Sequence, residues 1–177
     1  MSKTRLPAWC FAAVLTLALL RPGEAKAQFA NKSLGLGVGY MGLNFENVVD
    51  RGFPLGLEGT LYIENGFDLV AHAYAMLLNS PVFNQQYIGV YGAAGVRYLF
   101  SEEQIRPYAG VDLAYFQTFG LGDLQIQRVG LGPNVGVDYF VADTWSVGVR
   151  GQFTLYWLLN SPVNTSLGAH LSVSTWF

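Results

Sequence analysis

Past residue 27 this chain has no cysteine, a single lysine (Lys32) and only two histidines, His72 and His170. The missing cysteine excludes a disulfide framework and a thiolate metal site in that part. The missing lysines remove the basic stripe of a nucleic-acid binder. Charge is thin throughout, at 12% of 177 residues, against the ~25% usual in globular domains. Long apolar runs are absent too: no stretch after residue 27 offers the ~18 consecutive apolar residues of a membrane helix. Yet 51% of the chain is apolar and 15% aromatic, with 21 glycines and ten tyrosines. Apolar content that high without long runs implies alternation, the period of a strand.

The first 27 residues read as a separate object. Lys3 and Arg5 precede an apolar segment, residues 8–20, too short to span a bilayer, and Ala25-Lys26-Ala27 supplies a cleavage site before Gln28. Residues 1–27 are expected to be a signal peptide and 28–177 one domain. Cys10 lies inside the apolar segment behind bulky Trp9, which argues against a lipoprotein. After cleavage ten basic residues become six and twelve acidic ones eleven, a net charge of −5.

Alternation then predicts eight strands, at residues 34–44, 53–64, 67–78, 87–100, 106–116, 129–141, 144–157 and 167–177. Asn65-Gly66 is the strongest hairpin signal in the chain. The phase of the third strand is open: a two-residue turn puts Phe67 on the face of Glu64, a three-residue turn with a bulge puts it on that of Ile63. The second is preferred, because it turns Asp68 and His72 away from the apolar face. The connections after strands two, four and six are short, and those after one, three, five and seven longer. Short connections throughout imply an antiparallel meander.

The two faces of the strands decide what kind of barrel this makes. The apolar rows of strands four to eight hold no charge. Their opposite rows carry Arg97, Asp112, Asp138, Arg150 and His170 among Gly, Ser and Ala, and Glu58 opposes the apolar row of strand two. A soluble barrel of the lipocalin kind would point its apolar rows inward. A membrane barrel points them out, and the small, polar rows then suit a narrow interior. Glycines there leave room for long Arg and Glu side chains. Tyr40, Tyr98, Tyr115, Tyr139, Trp145 and Trp157 stand near strand ends, where interfacial aromatic girdles belong. The expected fold is all-β, an eight-stranded antiparallel up-and-down transmembrane β-barrel with both ends on the periplasmic side.

With its signal peptide, the Arg-Pro-Tyr-Ala-Gly-Val-Asp-Leu-Ala-Tyr run at 106–115 and a last strand ending in Phe177, the chain resembles the small outer-membrane barrels of Gram-negative bacteria, the OmpA/OmpX type. The resemblance covers essentially all of residues 28–177. It implies a place in the cell outer membrane, outer-membrane lipids and lipopolysaccharide as partners, and recognition by the outer-membrane assembly machinery. In that family the assembly signal is an alternating last strand with a terminal aromatic, matched here by Leu171, Val173 and Phe177, with Thr175 a mild departure. No peptidoglycan-binding domain is expected after Phe177, so the resemblance carries no expectation of a cell-wall anchoring role.

The interior charges form the candidate site. If Phe140 faces Ser146, Arg150 sits opposite Gly136 and diagonal to Asp138, about 7–8 Å away and within reach of a long side chain. Arg97 lies near Gly110 or Tyr108, within reach of Asp112. Glu58, Arg97, Asp112, Asp138 and Arg150 are therefore expected to form an ion network that fills the lumen, since buried charges need partners. His170-Leu171-Ser172 resembles the His-x-Ser pair of outer-membrane lipid A deacylases. Those pairs face lipid, whereas the phase here points His170 and Ser172 inward, and no acidic residue follows. Leu-Leu-Asn-Ser-Pro-Val occurs twice, at 77–82 and 158–163, opening the second and fourth outer loops. Turn chemistry explains it; a pseudo-twofold rim is the functional alternative. The expected function is a structural or surface-interaction role with no open pore, no enzyme activity, no metal and no cofactor. The alternatives are a lipid A acyl hydrolase using His170 and Ser172, and a soluble periplasmic carrier.

Overall fold

A computed structural model describes residues 31–45, 48–80, 85–119, 126–158 and 163–177. Residues 1–27, expected from the sequence to be a signal peptide, lie outside these residues. Eight strands follow one another: β1 (Lys32–Phe45), β2 (Val48–Glu64), β3 (Phe67–Ser80), β4 (Gln85–Leu99), β5 (Ile105–Phe119), β6 (Gln127–Ala142), β7 (Trp145–Leu158) and β8 (Asn164–Trp176). Each pairs antiparallel with its neighbours in sequence, and β8 returns to β1, so the sheet is a closed barrel with no free edge. Closure is what lipid demands, because an unpaired backbone group has no partner in hydrocarbon. The seam ends at the termini. The Lys32 N–H donates to the Phe177 carbonyl at 3.2 Å, and the Phe177 N–H to that of Lys32 at 2.9 Å.

Alternation sets the faces as the sequence indicates. Leu34, Leu36, Val38, Leu55, Leu57, Val111, Leu113, Val135, Val149, Leu171 and Val173 are exposed on the outside, while Asp68, His72, Arg97, Asp112, Asp138, Arg150 and His170 are buried inside. A wall apolar outside and charged inside is that of a membrane barrel and not of a soluble carrier. Aromatic rings cluster toward both ends of the outer wall. Phe67 sits against Tyr98 (centroids 5.1 Å apart) and Tyr98 against Phe100 (5.5 Å) near the short turns, and Tyr40 against Phe53 (5.6 Å) lies farther along.

Two local details depart from the sequence reading. The turn after β2 is a two-residue Asn65–Gly66 turn, with φ of 54° and 80°, closed by a Glu64–Phe67 pair; the extra residue is taken up by a bulge between Tyr62 and Glu64. Two positive φ angles match the right-handed twist of a hairpin, and Asn-Gly adopts them at least cost. The bulge, rather than a longer turn, sends Asp68 and His72 inward. The first connection is also not a long one. β2 begins at Val48, five residues before the apolar row at Phe53, so Asp50 becomes a lumen residue.

Candidate functional site

Inward side chains stack in levels from the short-turn end upward. At the mouth, the Arg106 guanidinium lies over the ring of Phe140 (4.1 Å) and near that of Trp176 (5.7 Å). Trp176 Nε1–H donates to Ser146 Oγ at 2.8 Å, and Arg106 Nε to the Glu103 carbonyl at 3.1 Å. Arg97 forms the next level. Its Nε donates to Asp68 Oδ2 at 2.7 Å, its Nη2 meets Asp138 Oδ2 at 3.0 Å, and it lies 4.4 Å from the centre of the Tyr108 ring. One cation therefore joins β3, β4 and β6.

Arg150 on β7 organises the level above. Nη2 donates to Glu58 Oε1 at 3.0 Å and to Tyr74 Oη at 2.7 Å, and Nη1 approaches His72 Nδ1 at 3.0 Å. Tyr74 donates to Glu58. Because Arg has no acceptor, His72 Nδ1 must accept, which leaves Nε2–H to donate to Asp112 Oδ2, 3.3 Å away. His170 stacks on Tyr74 with centroids 4.8 Å apart. This level ties β2, β3, β5 and β7 across the lumen. Glycine makes room for it: a Cβ on Gly37 would stand 2.6 Å from Glu58 Oε1 and 2.8 Å from Tyr74 Oη.

The far end of the lumen is different. Met41, Leu43, Met76, Leu78, Tyr87, Tyr91, Phe116 and Tyr156 pack into one buried apolar cluster with Tyr74. Asp50, Thr118, Thr154, Asn164 and Ser166 are buried at the same end. Tyr87 donates to Asp50, and the hydroxyls of Tyr156 and Ser166 lie 3.1 Å apart.

All five charged residues singled out by sequence face the lumen, but their partners differ from those expected. Arg150 engages Glu58, Tyr74 and His72, not Asp138. Arg97 engages Asp68 and Asp138, not Asp112, which pairs with His72. The anticipated registers hold: Phe140 faces Ser146, Arg150 faces Gly136, and Arg97 faces Gly110. Arg150 reaches across the lumen to Glu58 and His72, while Arg97 meets its direct cross-strand partner Asp68 and, two strands along, Asp138. Sequence reasoning did not place Asp68, Tyr74, Tyr108 and Arg106 in the site. The first two become visible once the bulge fixes the phase of β3.

His170 and Ser172 both face inward on β8, but no hydrogen bond joins them; neither ring nitrogen of His170 has a partner. Ser172 instead faces the gap over Gly148, where a Cβ would stand 2.7 Å from its Oγ and 2.6 Å from Asp138 Oδ1. A hydroxyl that no base touches is not activated as a nucleophile in this arrangement. Among the described residues no group of three or more His, Cys, Asp or Glu is placed to hold a metal ion. Leu171, Val173 and Phe177 lie exposed on the outer wall of the last strand. Of the two repeated hexamers, Leu77 points outward and Leu78 joins the apolar cluster, while residues 81–82 and 159–162 lie outside the described residues.

The sequence profile of the outer membrane protein beta-barrel domain family matches residues 11–174. No curated protein matches the sequence. Three similar solved structures are Neisserial surface protein A (TM-score 0.69, 16% identity, covering 83% of this chain and 97% of that one), OprG from Pseudomonas aeruginosa (0.60, 10%, 83% and 96%) and Ail of Yersinia pestis (0.55, 11%, 82% and 97%). At such identities the likeness is one of fold.

Proposed function

We propose, from the premise that this chain belongs to the outer membrane protein beta-barrel domain family and is an integral outer-membrane protein, that it serves a structural or surface-interaction role and forms no open pore. One observation carries this reading: the lumen is filled along its length, by the Arg106 stack at one mouth, two arginine-centred networks in the middle and a cluster of rings and aliphatic chains at the other end. An eight-stranded barrel is just wide enough to be filled by side chains, which supports a lumen closed by these groups. The contact surface then belongs to the rim opposite the termini, facing lipopolysaccharide and the outside. Purified protein in planar bilayers is expected to give no discrete conductance steps; steady ion currents would overturn the closed-lumen reading.

Residues 1–27 act in this reading as a cleaved signal peptide. Leu171, Val173 and Phe177, exposed on the closing strand, serve as the assembly signal. Deleting Phe177 is expected to lower the amount of barrel recovered from outer membranes by ~10-fold or more, because the seam hydrogen bonds and the terminal ring are lost together. The check is the fraction of protein showing heat-modifiable migration; normal assembly of the truncated chain would remove Phe177 from the signal.

A further inference from the structure

We propose that a blind aqueous inlet runs along the inner wall of β8, β1 and β2 and admits small organic cations from the short-turn end as far as Glu58 and His170. Most of the large inward side chains of the charged half stand on β3 to β7. They leave the remaining sector thin. Ser172 pairs with Gly37 and Gly37 with Gly56, while Ser174 pairs with Gly35 and Gly35 with Glu58. Small residues alone do not make a cavity, because their neighbours can close over them. Here the neighbours do not. Glu58, Thr60 and Tyr62 on the inner row of β2 are partly exposed, as are Ser172 and Ser174 on β8. Their counterparts on the β3 side of the ladder, His72, Val70 and Asp68, are buried.

The two ends of the inlet differ. At the short-turn mouth a cavity of about 710 Å³ is lined by Tyr62, Glu102, Glu103, Arg106, Phe140 and Asp143, so that three carboxylates face one guanidinium. At the inner end stands His170, 2% exposed, with neither ring nitrogen partnered. Its Nδ1 faces the Gly39 position, where a Cβ would come within 2.8 Å, and Gly39 continues the row of Gly35 and Gly37. A buried polar atom with no protein partner favours a guest that can hydrogen-bond to it. Met41 follows on the same face of β1 and belongs to the apolar cluster, which closes the inlet. Charge selects the guest. Asp68 and Asp138 share Arg97, and Asp112 meets only His72, so carboxylates outnumber guanidiniums in this half. A cleft lined by one sign of charge within low-dielectric walls concentrates the opposite ion. The inlet rests on the membrane-barrel reading, and its blind end on the closed lumen.

Residues 28–177 contain no cysteine, so a single introduced thiol reports alone. The test uses the chain assembled in outer membranes, with one cysteine at a time and folding checked by heat-modifiable migration. Methanethiosulfonate ethylammonium is the cationic probe and methanethiosulfonate ethylsulfonate the anionic one, each rate being divided by that with free cysteine. Ser174→Cys and Ser172→Cys are expected to react many-fold faster than Thr154→Cys and Ser166→Cys, whose native residues are 2% and 1% exposed at the far end. At the first two positions the cation is expected to outpace the anion several-fold, and Glu102→Gln with Glu103→Gln to narrow that gap. Silence at Ser172→Cys and Ser174→Cys in a folded barrel overturns the inlet and leaves the closed lumen standing. Labelling at Thr154→Cys or Ser166→Cys as fast as at Ser172→Cys overturns the blind end, and the closed-lumen reading with it. Equal rates for the two probes overturn the assignment to cations.

Discussion

Around and below Tyr74 the lumen is lined by guanidinium, carboxylate and imidazole groups; above it the same barrel is filled by rings, thioethers and aliphatic chains. Both halves meet the same geometric need, since an eight-stranded interior is only wide enough for side chains. They meet it by different physics. In the charged half each ion must find a partner, and the partners stand on other strands: Arg97 joins β3, β4 and β6, and Arg150 joins β2, β3 and β7. In the apolar half most side chains need only to fill space, and the few hydrogen bonds, Tyr87 to Asp50 and Tyr156 with Ser166, join neighbouring strands or near ones without an ion pair. The charged half therefore specifies which strands face one another, while the apolar half excludes water.

The largest effect expected from breaking this contrast is in the charged half. Arg150→Met strands Glu58 and leaves His72 Nδ1 without its donor, and is expected to cost about 3–5 kcal/mol in urea unfolding from vesicles. Adding Glu58→Leu should recover most of that loss, because a fully apolar pair no longer contains an uncompensated charge. Failure of the double variant to recover would mean that the level depends on its ions for more than mutual compensation. In the apolar half, Phe116→Ala is expected to cost about 3 kcal/mol in the same assay through the void it leaves. No second substitution on another strand should reverse that loss unless it restores volume. The smallest effect is at the boundary. A methyl group in Gly37→Ala would press on Glu58 and Tyr74 and is expected to cost about 1–3 kcal/mol. It should also weaken coupling between Arg150 and Glu58 in a double-mutant cycle. Unchanged coupling would show that the network yields more easily than its packing suggests.

The outer wall was legible in the sequence because alternation is a local property: Leu34, Leu36 and Val38 face lipid whatever the rest of the chain does. The inward position of Arg97, Asp112, Asp138 and Arg150 was legible for the same reason. The inward phase of Asp68 and His72 was legible through the preferred bulge, which lies between Tyr62 and Glu64, but the pairing of Asp68 with Arg97 was not, because nothing local names a partner. The apolar cluster was harder still. Met41, Leu78, Tyr87 and Phe116 sit at inward positions of four different strands, and no single strand shows that they converge.

The sequence by itself therefore determined the strands, the inverted faces and the residues available to the lumen, because a period of two needs only nearest neighbours along the chain. Only the tertiary structure decided which ion meets which. Arg150 and Glu58 are 92 residues apart and Arg150 and His72 are 78 apart. Those distances close when β8 pairs with β1 and the sheet curves into a cylinder, bringing far walls within reach of one guanidinium.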